Sequence, residues 1–381
     1  MSFDFDAPID RHGTWSLRWE RLAGRDIIPL WVADTDFRAP EAVIDALRRR
    51  VEHGIFGYTV APGELREAIA ARALRLYGWR IQPEWIVFLP GVVPGLHMAV
   101  RELSAPDEHV LLPEPIYQHF RRAVERAPRA YDAVALVLRE GRWLLDEEQL
   151  VARLRSNSRL LLLCNPQNPG ATVYTRVELE RIASIAEHHD LVICSDEIHA
   201  DLVLDPAASH VPIASLAREI SRRCVTLMSP NKSFNLPGVG CAWAVIEDDH
   251  LRRRFSTELH ATVHDPSLLG YVAALAAYRD GTPWLAAQID YLRGNRDRVV
   301  AMVAATRGMT MARMQATYLA WIDVSRLALR DPDSHFLAHG VALSPGAQFG
   351  APGFVRLNIG TQRRILEEAL QRMARAASAA G

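Results

Sequence analysis

Leu191-Val192-Ile193-Cys194-Ser195-Asp196-Glu197-Ile198-His199 and, further along, Cys224-Val225-Thr226-Leu227-Met228-Ser229-Pro230-Asn231-Lys232-Ser233-Phe234-Asn235 decide the fold. Each is a short apolar run that ends in polar and charged residues. Each reads as a buried strand whose C-terminal end delivers functional groups, and in an open α/β sheet ligands bind where strands end. Working outward, strand patterns recur at 85–89, 109–112, 133–138, 160–164 and 240–246, which with 191–195 and 224–228 makes seven. Helical patterns near 93–103, 116–126, 146–155 and 176–188 lie between many of them. Such alternation predicts an α/β fold with a mixed, mostly parallel sheet covered on both faces.

The flanking regions complete a second unit. Pro40 predicts the first position of a helix that Gly54 closes, with Val43, Ile44, Leu47 and Val51 on one face. A second helix is expected from Gly63 to Tyr77, ended by Gly78. After Asp248 the pattern is helical to Thr306, broken once at Asp280-Gly281-Thr282-Pro283. Strands near 310–314, 318–324 and 354–359 and a last helix to about Ala376 suit a smaller α/β domain. The expected division is 46–285 for a large domain, with 1–45 and 286–381 forming the small one.

Composition excludes several classes. Across 381 residues the net charge is −1, with no basic surplus for nucleic acid. No apolar run is long enough to span a membrane, and the acidic N-terminus lacks a secretory h-region. Cys164, Cys194, Cys224 and Cys241 all sit in strand-like apolar runs, which predicts reduced, buried thiols and a cytoplasmic protein. Their spacing matches no metal site.

The chemistry centres on Lys232. It is the single lysine among 44 Lys and Arg residues. Arginine cannot form a Schiff base, whereas a desolvated lysine can. An acid at one strand end (Asp196), a lysine at another and Ser229 three residues before it are what a pyridoxal 5′-phosphate (PLP) site requires. The lysine binds the aldehyde, the acid pairs with the pyridinium nitrogen and the serine binds phosphate. Taken singly, Asp196 is also a common strand-end or capping residue. Gly91-Val92-Val93 opens a helix after a strand and offers backbone N–H groups to an anion, although a plain tight turn reads the same way. Asn168 ends Asn165-Pro166-Gln167-Asn168-Pro169-Gly170, where it could donate to a cofactor oxygen or a substrate carboxylate. Tyr117 follows a strand and could stack on a planar ring or simply fill core. Arg356 lies inside an apolar strand and needs a partner, either a substrate carboxylate or an internal ion pair.

These segments resemble a known family. Asn-Pro-Gln-Asn-Pro, Ser-Asp-Glu-Ile-His and Ser-Pro-Asn-Lys-Ser-Phe-Asn-Leu look like the fold-type I PLP-dependent transferases, aminotransferase class I/II. Within it the chain is similar to the MalY/PatB-like cystathionine β-lyase (C–S lyase) branch. The residues that carry this are Trp31 to Phe37, His53 to Thr59, Trp85 to Phe88 with Pro90 to Pro94, and Arg356 to Ile359. The resemblance implies Lys232 as Schiff-base lysine and acid/base, Asp196 at the ring nitrogen, and Asn168 and His199 near the cofactor oxygen. It implies Tyr117 on the ring and Gly91, Val92, Val93 and Ser229 at the phosphate. It implies Tyr58 reaching the phosphate of a second subunit, hence a homodimer with shared sites. Arg356, Asn168, Ala33 and Thr35 would bind substrate, and Tyr58 or Tyr117 would protonate the leaving group.

The chain departs from the branch pattern at Thr35, where Met is common, and at Gly170-Ala171-Thr172, at Asn231 and at 264–270. The implied activity is C–S β-elimination from cystathionine or another S-substituted L-cysteine. An aminotransferase, or a biosynthetic cyclase or β-replacement enzyme, is the alternative. A non-catalytic regulator is disfavoured, because Lys232 and Asp196 are both retained and the chain has no residues to spare for a DNA-binding domain.

Overall fold

An irregular arm with one short strand, β1 (Ile28–Pro29), begins the computed structural model, which describes residues 3–380. The helix that follows runs Glu41–Glu52, so Pro40 is its N-cap rather than its first residue, and Gly54 takes φ +74° just past its end. The next helix is Gly63–Tyr77. Gly78 closes it in the left-handed conformation at φ +63°, where a side chain would be strained.

The large sheet has eight strands: β2 (Ile86–Leu89), β3 (His109–Glu114), β4 (Ala130–Arg139), β5 (Arg142–Leu145), β6 (Ser158–Cys164), β7 (Val192–Asp196), β8 (Cys224–Met228) and β9 (Ala242–Val245). Their order is β2-β9-β8-β7-β6-β3-β4-β5. Every pair among β3, β4, β6, β7 and β8 is parallel, while β2, β9 and β5 pair antiparallel. The seven expected strands are present, and the expected count is corrected by β5. That strand folds back on β4 through Glu140 and Gly141, both at positive φ. A glutamate in that conformation is not a recognisable hairpin signal, so the turn was invisible in the sequence.

The central strands are buried along their whole length because helices cover both faces. Alternation sorts the side chains. Leu160, Leu162, Val192 and Cys194 pack with Val92, Leu96, Phe120 and Phe255 on one face. Leu161, Leu163 and Ile193 pack with Leu179, Ile182 and Tyr271 on the other. Each such leucine stabilises the fold by about 2 kcal/mol through removal of apolar surface from water. All four cysteines are buried and free.

The helical region after Asp248 is broken twice, not once, into Asp249–Thr262, Leu268–Asp280 and Thr282–Ala305. The unforeseen break is made by Pro266, which disfavours helix in the residue before it. Ser267 then caps the next helix by accepting from Gly270 N at 3.1 Å.

The C-terminal part holds β10 (Thr310–Met311), β11 (Leu319–Asp323), β12 (Val341–Ala342), β13 (Ser344–Pro345) and β14 (Phe354–Asn358). Four of these form a sheet in the order β10-β11-β14-β13. β12 pairs in parallel with β1, which ties the N-terminal arm to this unit. The two-residue strands β12 and β13 and the short helix Pro332–Ala338 carry no periodicity, which is why only three strands were expected here. The last helix is Arg363–Ser378.

Candidate active site

The C-terminal ends of four parallel neighbours, β3, β6, β7 and β8, deliver Tyr117, Asn168, Asp196 and Lys232 to one place. The arm closes over it. Asn358 N donates to Leu30 O at 2.9 Å and Asp36 N to Gly360 O at 2.8 Å, which lays residues 30–36 along the end of β14.

Lys232 Nζ donates to Ala33 O at 2.5 Å. Its side chain keeps partial access to solvent, but dense protein around the amine lowers its pKa to about 8, because burial disfavours the charged form. Asp34 and Asp196 oppose that shift, and Arg356 reinforces it. Burial likewise raises Asp196 to about 6, against the N–H of Ile198, which donates to Asp196 Oδ1 at 3.0 Å, and against the charge of Lys232. An acid and an amine pushed towards each other's range are the signature of a site that works by proton transfer.

Arg356 is buried and has no carboxylate in ion-pair reach among the described residues. Its Nη1 donates to Asn168 Oδ1 at 3.0 Å, and its Nη2 to Ser344 Oγ at 3.2 Å and Trp31 O at 3.3 Å. The guanidinium stands over the Phe349 ring at 4.6 Å, and its Nε has no partner. Burial lowers its pKa to about 10. The internal ion pair is therefore absent, and a buried cation without a counter-ion calls for an anionic ligand.

Burial holds His199 neutral, lowering its pKa to about 3 with the charges of Lys232 and Arg356 adding to the effect. Its Nδ1 has no partner. Burial also raises Tyr117, which keeps its phenol protonated. Gly91 caps the helix Val92–Leu103 with no side-chain hydrogen bond, and Pro94 removes one first-turn donor. The N–H groups of Val92 and Val93 remain for an anion. Ser229 Oγ donates to Cys241 O at 2.7 Å and accepts from Asn231 N at 3.0 Å. Thr35 is buried, with Oγ1 unpartnered. Tyr58 is the one expected residue not brought to the site within this chain; it is fully exposed on the loop before helix Gly63–Tyr77. Among the described residues no three His, Cys, Asp or Glu side chains could hold a metal, and no helix is long and apolar enough to cross a membrane.

These donors fit PLP. An uncapped helix start suits a phosphate, and Asp196 suits a protonated ring nitrogen. Lys232 suits an aldehyde, and the orphaned Nδ1 of His199 and the free amide N–H groups of Asn168 suit ring substituents. The sequence did not expose Tyr318. Its hydroxyl donates to Ala33 O at 3.0 Å, and its ring lies edge-on to His199 at 6.2 Å. It directly precedes the buried apolar strand Leu319–Asp323, so nothing local sets it apart from a core residue. Asn235 was equally hidden. Its Oδ1 accepts from Thr35 N at 3.0 Å, and its Nδ2 donates to Thr35 O at 2.9 Å and Phe37 O at 2.8 Å.

The chain belongs to the aminotransferase class I and II family, whose model matches residues 25–373. Among individual proteins, it is 35% identical to the cystathionine beta-lyase PatB of Bacillus subtilis, covering 98% of this chain and all of that one. A solved structure of a protein named OvoB is 49% identical, with a TM-score of 0.97 over 99% of both chains. Cystalysin from Treponema denticola, whose structure contains PLP, is 29% identical with a TM-score of 0.95 over the full length of both chains.

Proposed function

We propose that this chain is a PLP-dependent carbon–sulfur β-lyase, which splits cystathionine or another S-substituted L-cysteine into a thiol, pyruvate and ammonia. The observation that carries it is the pairing of Lys232 and Asp196 at adjacent parallel strand ends, in a chain that aligns end to end with a cystathionine beta-lyase. Lys232 would hold PLP, Asp196 its ring nitrogen, and Val92, Val93 and Ser229 its phosphate. Once bound, PLP supplies an electron-withdrawing ring that acidifies the Cα–H bond of an attached amino acid.

Arg356 binds the substrate α-carboxylate, supplying the charge its buried guanidinium lacks. Asn168, fixed by its bond to Arg356, orients the same end of the substrate. The Lys232 amine takes the Cα proton at Nζ. With a pKa of about 8 it has an appreciable neutral fraction near neutrality, as a general base requires. The Cβ–S bond breaks as that proton leaves, the electron pair departs on sulfur, a tyrosine hydroxyl protonates the thiolate, and one water hydrolyses the remaining unsaturated amino acid to pyruvate and ammonia. The donor is Tyr58 of a second subunit or, within the chain, Tyr117, which burial keeps neutral. With Tyr58 as donor the working unit is a homodimer. Four buried, reduced thiols support a cytoplasmic setting.

The test is incubation with L-cystathionine and a panel of S-alkyl cysteines, following pyruvate. Formation of pyruvate with equimolar thiol is expected. No pyruvate from any of them, with transfer of the amino group to PLP instead, would establish an aminotransferase.

A further inference from the structure

Glu197 follows Asp196 directly, and its side chain is wholly shielded from solvent. Its Oε1 accepts from Ser195 Oγ at 2.9 Å and from Ile213 N at 3.3 Å. Its Oε2 meets His210 Nε2 at 2.8 Å. The His210 side chain is 1% exposed, and its Nδ1 has no partner. Beyond it the Tyr77 ring stands edge-on at 5.2 Å, and the Tyr77 hydroxyl donates to Asp201 Oδ1 at 3.0 Å. Asp201 is neutralised by Arg72 at 2.8 Å, so that cluster has no charge left for Glu197. His210 is the one ionisable side chain in hydrogen-bond contact with Glu197 among the described residues.

A buried carboxylate with a single imidazole partner, one peptide unit from the acid that meets the cofactor, is electrostatically placed to act on that acid. The groups that face Asp196 are Lys232, Glu197, Cys164, Cys194 and Tyr117. Burial holds both thiols and the phenol in their neutral forms, so Lys232 and Glu197 are the charges that matter. They act in opposite senses. Lys232 favours ionised Asp196, and Glu197 disfavours it. Cys164 and Cys224 face Glu197 and are likewise neutral.

We propose that Glu197, held in place by His210, is a positioning residue for the cofactor: its charge sets the pH at which Asp196 gives up its hold on the protonated ring nitrogen. The proposal rests on the PLP reading above but not on the lyase reading, because its test does not measure turnover. Glu197→Gln keeps the shape and, through its one oxygen, the contacts from Ser195 Oγ and Ile213 N, while removing the charge and turning an N–H towards His210 Nε2. His210→Gln keeps an N–H donor near the Nε2 position, and His210→Phe removes it.

The experiment is the PLP dissociation constant of the full-length protein between roughly pH 5 and 9, read from tryptophan quenching, with melting temperature as the check on folding. In the wild type, affinity falls on the acid side as Asp196 takes up a proton. In Glu197→Gln the midpoint of that fall is expected at least about half a unit lower, because the opposing charge is gone. His210→Phe, which releases the carboxylate from its position, is expected to displace the midpoint, and His210→Gln to restore it. A folded Glu197→Gln with an unmoved midpoint would overturn the proposal. So would His210→Phe and His210→Gln behaving alike. Absence of PLP binding by the wild type would overturn the cofactor reading, whereas absence of pyruvate alone would overturn the lyase reading and leave this inference standing.

Discussion

Lys232 Nζ and the Tyr318 hydroxyl donate to the same acceptor, the carbonyl oxygen of Ala33, at 2.5 Å and 3.0 Å. The N-terminal arm thus supplies the atom that parks the amine, and the tyrosine shares it. Burial outweighs this contact and the nearby carboxylates, leaving the amine with a pKa of about 8.

That value gives the first prediction. The chain has one lysine, so acylation at a side-chain amine is unambiguous by mass spectrometry. The neutral amine is the nucleophile, and a lowered pKa means it predominates above pH 8 rather than above about 10.4. In PLP-free protein the labelling rate of Lys232 should rise through pH 8 and level off above it. A rate still climbing steeply at about pH 10 would show an ordinary lysine.

Arg356 is buried without a counter-ion, which sets up two opposite effects of one substitution. Arg356→Met should raise KM for the amino-acid substrate by about 10- to 100-fold, the worth of a hydrogen-bonded charge pair. It should also raise the melting temperature of the ligand-free protein, because an uncompensated buried cation is removed. Steady-state kinetics with a substrate and its methyl ester, alongside thermal melts, read both. If the wild type treats acid and ester alike, Arg356 does not bind the carboxylate.

Asn235 joins the arm to the cofactor-bearing loop through three hydrogen bonds and itself sits at φ +55°, a conformation asparagine tolerates better than most residues. Asn235→Ala should cost about 2–3 kcal/mol of stability, measured by urea unfolding. Asn235→Asp keeps the acceptor and loses two donors, and it should destabilise as well. A loss below about 0.5 kcal/mol for the alanine variant would show that the arm is held by its strand pairing alone.

The legibility of the molecule follows from how local each signal is. The strands β7 and β8 announce themselves because a fully buried parallel strand is a continuous apolar run, and the charged residue at its end is conspicuous. Lys232 is conspicuous for a different reason, being alone in the composition. Asn235 and Tyr318 are not legible, because their meaning lies in contacts with Thr35 and Ala33, roughly 200 and 285 residues away in sequence. No local pattern encodes such distances. Arg356 was legible as a buried charge but not as an unpaired one, since pairing is a fact of three dimensions. The strand β5 was lost to a hairpin whose turn uses a glutamate at positive φ.

Tyr58 supplies the last prediction. It is fully exposed, its neighbours Ile55, Phe56 and Val60 are largely exposed too, and its hydroxyl has no partner among the described residues. If it acts on a second subunit's site, activity requires Lys232 from one chain and Tyr58 from the other. Purified Tyr58→Ala and Lys232→Ala variants should each be nearly inactive in pyruvate release. Unfolded together and refolded at equal ratio, they pair at random, so about half of the dimers are mixed. Each mixed dimer has one site with both groups and one with neither, which restores about a quarter of the wild-type rate. A tyrosine acting within its own chain would restore nothing, because every site would still lack one residue. Sedimentation of the mixture shows that dimers have formed, so an absence of recovery would count against the shared site rather than against refolding.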